Sequence, residues 1–246
     1  MDVAILLLAG TATALATGLG AIPVFALGQR VVAARALLWG FAAGTMGVAS
    51  VVGLLLPALD DGTAPEVAGG AASGVAFMLG ARVWLDRHSL PIAGVSPDRM
   101  RASALVFAVL FVHSTPEGLA IGTAYASETE GLGLFVILAI ALQNIPEGTS
   151  TAIPMQEAGF SSRQQFWAAV GTSAPQPLAA LVAYALVEQV EGLLAISFAF
   201  AAGAMLALVL FELIPGALAT RRFSGAIAGA AAGAALMLGL SALLGV

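Results

Sequence analysis

Apolar residues follow one another along this chain in long unbroken runs, and charged residues fall almost only between the runs. A helix needs roughly 20 apolar residues to cross a hydrocarbon core of about 30 Å, and each run is long enough. The pattern predicts eight spans, approximately 3–27, 36–59, 67–85, 102–127, 131–155, 164–187, 192–220 and 223–246. A transmembrane barrel would instead show segments of about ten residues alternating apolar and polar, so the spans read as helices. The third is the weakest, because Arg82 sits near its end, where a long side chain can snorkel toward the headgroups. The first run is too long for a signal peptide and leads into further apolar spans instead of a polar domain.

Composition sharpens this picture. Of 246 residues, 60% are hydrophobic and 9% charged, far below the roughly 25% charged residues of a soluble domain, which excludes a soluble enzyme. There is no cysteine, which excludes disulfide scaffolds, zinc ribbons, iron–sulfur clusters and thiol nucleophiles. A formal net charge of -5 offers no basic footprint for nucleic acid.

The charges also carry topology. All basic residues are arginine, and they cluster in alternate loops: Arg30 and Arg35; Arg82, Arg87, Arg99 and Arg101; Arg163; Arg221 and Arg222. By the positive-inside rule those loops are cytoplasmic. The opposite loops hold Asp2; Asp60, Asp61 and Glu66; Glu128 and Glu130; Glu188 and Glu191, so both termini are expected outside the cell membrane. The longest connection, about 86–101, contains Pro91, Gly94 and Pro97 and reads as a short flexible cytoplasmic loop with His88 as a solvated residue.

Two likenesses within the chain point to function. Phe41-Ala-Ala-Gly-Thr-Met46 with Pro57-Ala58-Leu59 in span two resembles Phe200-Ala-Ala-Gly-Ala-Met205 with Pro215-Gly216-Ala217-Leu218 in span seven. These spans cross in opposite directions, so the likeness predicts inverted repeats, spans one to three and six to eight around a central pair (3+2+3), with a site near the midplane. The central pair itself carries His113-Ser114-Thr115-Pro116-Glu117-Gly118 in span four and Gln143-Asn144-Ile145-Pro146-Glu147-Gly148 in span five. Residues i and i+4 share a helix face, placing His113 over Glu117 and Gln143 over Glu147. Each proline frees carbonyls and kinks its helix, and each glycine admits a neighbouring helix closely. Two carboxylates at mid-bilayer demand protonation or a counter-charge, and no arginine lies in a span core. A divalent cation balances them, and the His113 imidazole suits a first-row transition metal.

The eight-span plan with these paired Pro-Glu-Gly motifs resembles the ZIP (Zrt/Irt-like) family of divalent metal transporters, of the bacterial type. The resemblance covers essentially the whole chain. It implies a metal site built from Met46, His113, Glu117, Gln143 and Glu147, with the metal as cargo and no resident cofactor. Taken alone, Met46 is equally an ordinary core filler. A second family site corresponds to Ser114, Asn144 and Gln176, where the family carries asparagine, aspartate or asparagine, and glutamate; with Glu117 and Glu147 as the only anions, a second divalent ion leaves charge uncompensated and is expected to bind weakly at most. Phe211-Glu212-Leu213-Ile214-Pro215-Gly216 resembles a family stretch with histidine at the first position and glutamate at the last, making Glu212 either part of a cytoplasmic exit route or an interfacial carboxylate. The family's histidine-rich loop is reduced here to His88.

The reading that follows is passage of a divalent transition metal, zinc foremost and iron, manganese or cadmium otherwise, toward the cytoplasm. Its alternatives are a non-transporting metal sensor and an intramembrane zinc hydrolase, the latter disfavoured because such sites are rich in histidine. The small residues Gly69, Gly70 and Gly74 in span three and Gly225, Gly229 and Gly233 in span eight serve either internal packing or the seam of the homodimer that the resemblance implies. Binding must deprotonate the ligands, so uptake is expected to weaken at low pH.

Overall fold

A computed structural model describes residues 3–87, 97–127, 129–190 and 192–246, and the loop position His88 lies outside them. Among the described residues there is no strand, and eight helices are long and apolar enough to cross a membrane. They are α1 (Val3–Leu27), α2 (Arg35–Asp61), α3 (Ala64–Leu85), α4 (Ala104–Ala126), α5 (Leu132–Glu157), α6 (Ser162–Gln189), α7 (Leu193–Ala219) and α8 (Phe223–Leu244). A single-turn helix, Gln29–Ala33, joins α1 to α2. Helix α6 begins two residues before the expected 164 because Ser161 and Gln164 form a reciprocal capping box, the Ser161 amide donating to Gln164 Oε1 at 2.9 Å.

Three helices depart from regular geometry. In α2 the turn Val51–Leu55 is a π-turn, and in α7 so is Val209–Leu213; each lies just ahead of a proline, Pro57 and Pro215. In α6 the helix stops at Thr172 and restarts at Pro175, whose missing N–H needs no intrahelical partner at a first helical position.

The helices pack most extensively in four pairs: α1 on α5, α4 on α6, α2 on α8 and α3 on α7. Glycine makes this approach possible. A methyl group built on Gly148 would stand 1.7 Å from the Thr17 carbonyl oxygen, and one on Gly20 would stand 1.9 Å from that of Ile145, so the α1–α5 seam brings backbone against backbone. Gly70 and Gly74 meet α7 and Gly229 and Gly233 meet α2 in the same way, which settles their use as packing within the chain.

Burial identifies the centre of the bundle. In α5 and α7, 61% of the apolar window is buried, against 22% in α3 and α8, which flank the outside. Leu8, Leu178, Ile227 and Leu243 are among the large side chains left exposed on the rim, an arrangement at home in lipid.

Candidate metal centre

Both Pro-Glu-Gly motifs lie inside their helices, Pro116 within α4 and Pro146 within α5. The glycines explain how the glutamates reach the middle: Gly148 lets α1 close on α5, and Gly118 lets α6 close on α4, where an added methyl would lie 2.4 Å from the Gln176 carbonyl oxygen. As a result Glu117, Gln143, Asn144 and Gln176 are wholly buried, and His113, Ser114 and Glu147 nearly so.

Glu117 is the hub. Its Oε1 accepts from Gln143 Nε2 at 2.9 Å and its Oε2 from Gln176 Nε2 at 2.7 Å. The Glu147 carboxyl stands beside it. Gln176 is held in turn by the Thr13 hydroxyl, which donates to its Oε1 at 2.7 Å, and by Asn144, whose Nδ2 reaches Gln176 Oε1 at 3.2 Å and the Thr13 carbonyl at 2.7 Å. The Thr17 and Ser173 hydroxyls lie 2.6 Å apart nearby. Asn144 and Gln176 are thus tied into a neutral network with α1, whereas Ser114 Oγ has no hydrogen-bond partner.

Lone pairs are left over. His113 Nδ1, Ser114 Oγ, Gln143 Oε1 and Glu147 Oε1 are all buried without a hydrogen-bond partner, a costly condition that asks for an explanation. Imidazole nitrogen, amide oxygen and carboxylate oxygen are the donor types of a first-row divalent ion. Among the described residues no three His, Asp or Glu side chains form one metal-sized cluster, so such an ion would draw on the amide of Gln143 as well as the two carboxylates.

The i, i+4 spacing places His113 above Glu117, but its ring turns to another partner, with Nε2 3.6 Å from Glu212 Oε1 on α7. Glu212 also faces the Arg82 guanidinium at 3.7 Å. Met46 is fully buried in the main core of the bundle. The thioethers that line the small gap beside His113 and Glu117 are instead Met78 and Met205.

A cavity of about 250 Å³ leads from the arginine-bearing end to Glu147, with Arg35, Trp39, Arg82, Ser150 and Glu212 among its walls. Trp39 donates from Nε1 to Ser150 Oγ at 2.9 Å, and the Arg35 guanidinium lies 5.1 Å from the Trp39 ring centroid. The indole packs onto Gly216, where an added methyl would fall 1.3 Å from Trp39 Cζ3. Thr13, Thr17, Ser173, Arg82 and Trp39 are the contributors that sequence reasoning passed over. The spacing of Thr13 and Thr17, one helical turn apart in a span whose other polar side chain is Thr11, was the signal available for α1.

Comparison with known proteins agrees with this architecture. The family model described as ZIP Zinc transporter matches residues 92–241. The zinc transporter ZIPB of Bordetella bronchiseptica is 34% identical over 253 residues, 97% of this chain and 81% of that protein. The zinc transporter GufA of Myxococcus xanthus is 33% identical over 223 residues, 85% of each chain. A longer Arabidopsis thaliana relative is 32% identical over 211 residues, which make up 84% of this chain and 33% of that protein. With eight membrane-length apolar helices, paired Pro-Glu-Gly motifs at their centre and these matches along most of its length, the chain belongs to the ZIP zinc transporter family.

Proposed function

We propose that this protein carries a divalent transition metal, zinc foremost, across a cell membrane toward the cytoplasm, binding it between α4 and α5. One observation carries the reading: His113 Nδ1, Gln143 Oε1 and Glu147 Oε1 are buried without partners, with Gln143 bonded to Glu117 and the Glu147 carboxyl beside it, and a cavity reaches Glu147. Glu117 and Glu147 balance the charge of one divalent ion and His113 and Gln143 complete the polar donors; Met46 is the thioether position that family membership implies, although Met78 and Met205 are the thioethers beside His113 and Glu117. The metal is cargo, not a cofactor. The loops bearing Arg35, Arg82, Arg163 and Arg222 face the cytoplasm, and both termini face outward.

One ion is the working load. The second-site positions Asn144 and Gln176 are neutral and already bonded to each other, with Gln176 also bonded to Glu117, which leaves no additional anion for a second ion. Ser114 adds a neutral hydroxyl.

Transport requires two arrangements of the bundle, and the inverted repeat supplies a natural division. Exchanging α1 with α6, α2 with α7, α3 with α8 and α4 with α5 turns the α1–α5 seam into α6–α4 and the α2–α8 seam into α7–α3, which are the four principal pairings. The π-turns in α2 and α7 obey the same exchange. This supports the 3+2+3 division, with one set of helices rocking on the other around the central pair. The assembly implied by family membership is a homodimer; Gly70, Gly74, Gly229 and Gly233 are taken up by packing within the chain, whereas Gly69 has nothing within 4 Å of an added methyl.

The test is uptake into proteoliposomes of zinc, cadmium, manganese and ferrous iron, by the wild type and by a Glu117→Ala, Glu147→Ala double variant. Uptake that disappears in the variant supports a carrier using this centre, and the order of the metals identifies the substrate. Binding without flux for any metal overturns transport in favour of a membrane sensor, the reading that the neutral second-site positions would then explain. The relatives named above are transporters and not hydrolases.

A further inference from the structure

Two groups from different helices converge on a single carboxylate oxygen. Glu212 Oε1 lies 3.7 Å from the Arg82 guanidinium of α3 and 3.6 Å from His113 Nε2 of α4. The same guanidinium donates to the Phe211 carbonyl at 3.0 Å, an oxygen whose i+4 partner is Pro215, which has no N–H to offer it. Arg82 and Glu212 also form part of the wall of the cavity that runs to Glu147. A cation moving along that cavity therefore meets a carboxylate already attended by a fixed positive charge.

That arrangement is unexpected for a route meant to conduct cations, and it has a direct consequence. A metal ion bridging Glu212 and His113 would need the oxygen that faces Arg82, and two cations cannot share it at contact distance without strong repulsion. Arginine keeps its charge at every physiological pH, so the competitor is permanent. Its side chain is 45% exposed and that of Glu212 24%, so the pair is loose enough to part when a divalent ion arrives and to close again when it leaves. Arg35 and Glu147 are the other charged groups on the same cavity wall.

We propose that Arg82 is a tethered cation that competes with the departing metal for Glu212, shortening the ion's stay there and preventing the centre from being refilled from the arginine-bearing side. Arg82 is thus a specificity and directionality element and not a ligand. The inference rests on the carrier reading of the centre.

Zinc binding to the purified full chain tests it apart from flux. The wild type is expected to bind one equivalent. Arg82→Gln, and Arg82→Met, which keeps the apolar stem, are expected to bind a second, weaker equivalent that disappears when Glu212→Gln is added; Arg82→Lys, which keeps the charge, stays at one. Apparent affinity at the new site rises at least about tenfold, the scale expected on removing a like charge about 4 Å away at a part-exposed position. In proteoliposomes preloaded with zinc, both neutral variants leak metal faster than wild type from the side bearing the arginines. A single equivalent and wild-type leak in both neutral variants, alongside wild-type uptake in the native protein, overturns the role of Arg82 and leaves the carrier reading standing. Absence of uptake in the native protein, with the second equivalent still gained in Arg82→Gln, overturns the carrier reading and supports the competition.

Discussion

Gly148→Ala is the substitution for which the structure specifies the largest consequence. The new methyl would sit 1.7 Å from the Thr17 carbonyl oxygen, while real side chains essentially never approach a neighbour closer than 3.0 Å. The obstacle is backbone, so no rotamer change relieves it. Helices α1 and α5 must separate by more than 1 Å, roughly the difference between those distances. The separation stretches the bond from Thr149 Oγ1 to the Gly20 carbonyl, now 2.8 Å, and that from Asn144 to the Thr13 carbonyl, now 2.7 Å. Overpacking of a tight interface costs about 1–3 kcal/mol, and a clash with main chain belongs at the top of that range. For a chain of this size about 3 kcal/mol lowers the melting temperature by about 6–12 °C. Because Glu147 precedes Gly148, the displacement also carries one carboxylate away from Glu117, and zinc uptake falls with stability. The assay is a thermal melt in detergent beside Gly47→Ala and Gly69→Ala, positions in α2 and α3 with nothing within 4 Å of the new methyl. Those controls should gain up to about 1 kcal/mol from helix propensity. A Gly148→Ala protein that melts with the wild type and transports normally would refute the argument that glycine sets the α1–α5 distance.

Further consequences can be measured in the same preparation. Gln176→Glu replaces the amide 2.7 Å from Glu117 by a third carboxylate, so calorimetry should find a second zinc equivalent and a metal-free protein that melts lower; unchanged stoichiometry would contradict the assignment of that position. Zinc binding should release protons, because carboxylate and imidazole ligands bind only when deprotonated, and uptake should decline as external pH is lowered; the proton count comes from titrations in buffers of different ionisation enthalpy, and a count of zero at every pH would argue against His113 and the glutamates as ligands. Gly216→Ala should force the Trp39 indole off its perch and break its 2.9 Å bond to Ser150, a loss of about 1 kcal/mol visible as a changed emission spectrum when Trp39 is the sole tryptophan. An unaltered spectrum would show that the indole tolerates the methyl.

The spans were legible because charge is so scarce that each cluster marks an interface, and the observed helices begin and end within a few residues of the expected positions. The all-helical architecture followed from continuous apolar runs. Other features were not legible, for particular reasons. The π-turns in α2 and α7, Val51–Leu55 and Val209–Leu213, were not legible because Gly53 and the prolines that follow, Pro57 and Pro215, mark a weakened helix without specifying an i to i+5 closure. The break in α6 had a signal in Pro175 and Pro177 that a reading by hydropathy alone runs through. At the centre, types and spacing drew attention to Glu117, Glu147, Gln143 and His113, but not to the direction of the His113 ring, which answers to Glu212 three helices away in the chain. Arg82 looked like a snorkelling residue because its partner is 130 positions distant and no pattern along the chain connects them.

The paired π-turns also bear on how the protein tolerates change. A turn closed i to i+5 holds one residue more than its neighbours, so it advances the azimuth of everything that follows by about 100°. Pro57 follows the start of its π-turn by six residues, and Pro215 follows its own by six, so both halves of the molecule carry this phase correction at the same distance from the proline. A one-residue deletion within the π-turn of α7 would let it relax into an ordinary helix with the residues beyond it in register, so the change falls on Glu212, which lies inside the turn and would turn away from Arg82 and His113. The two turns thus confine a one-residue change of length to their own residues, a phase correction that hydropathy does not record.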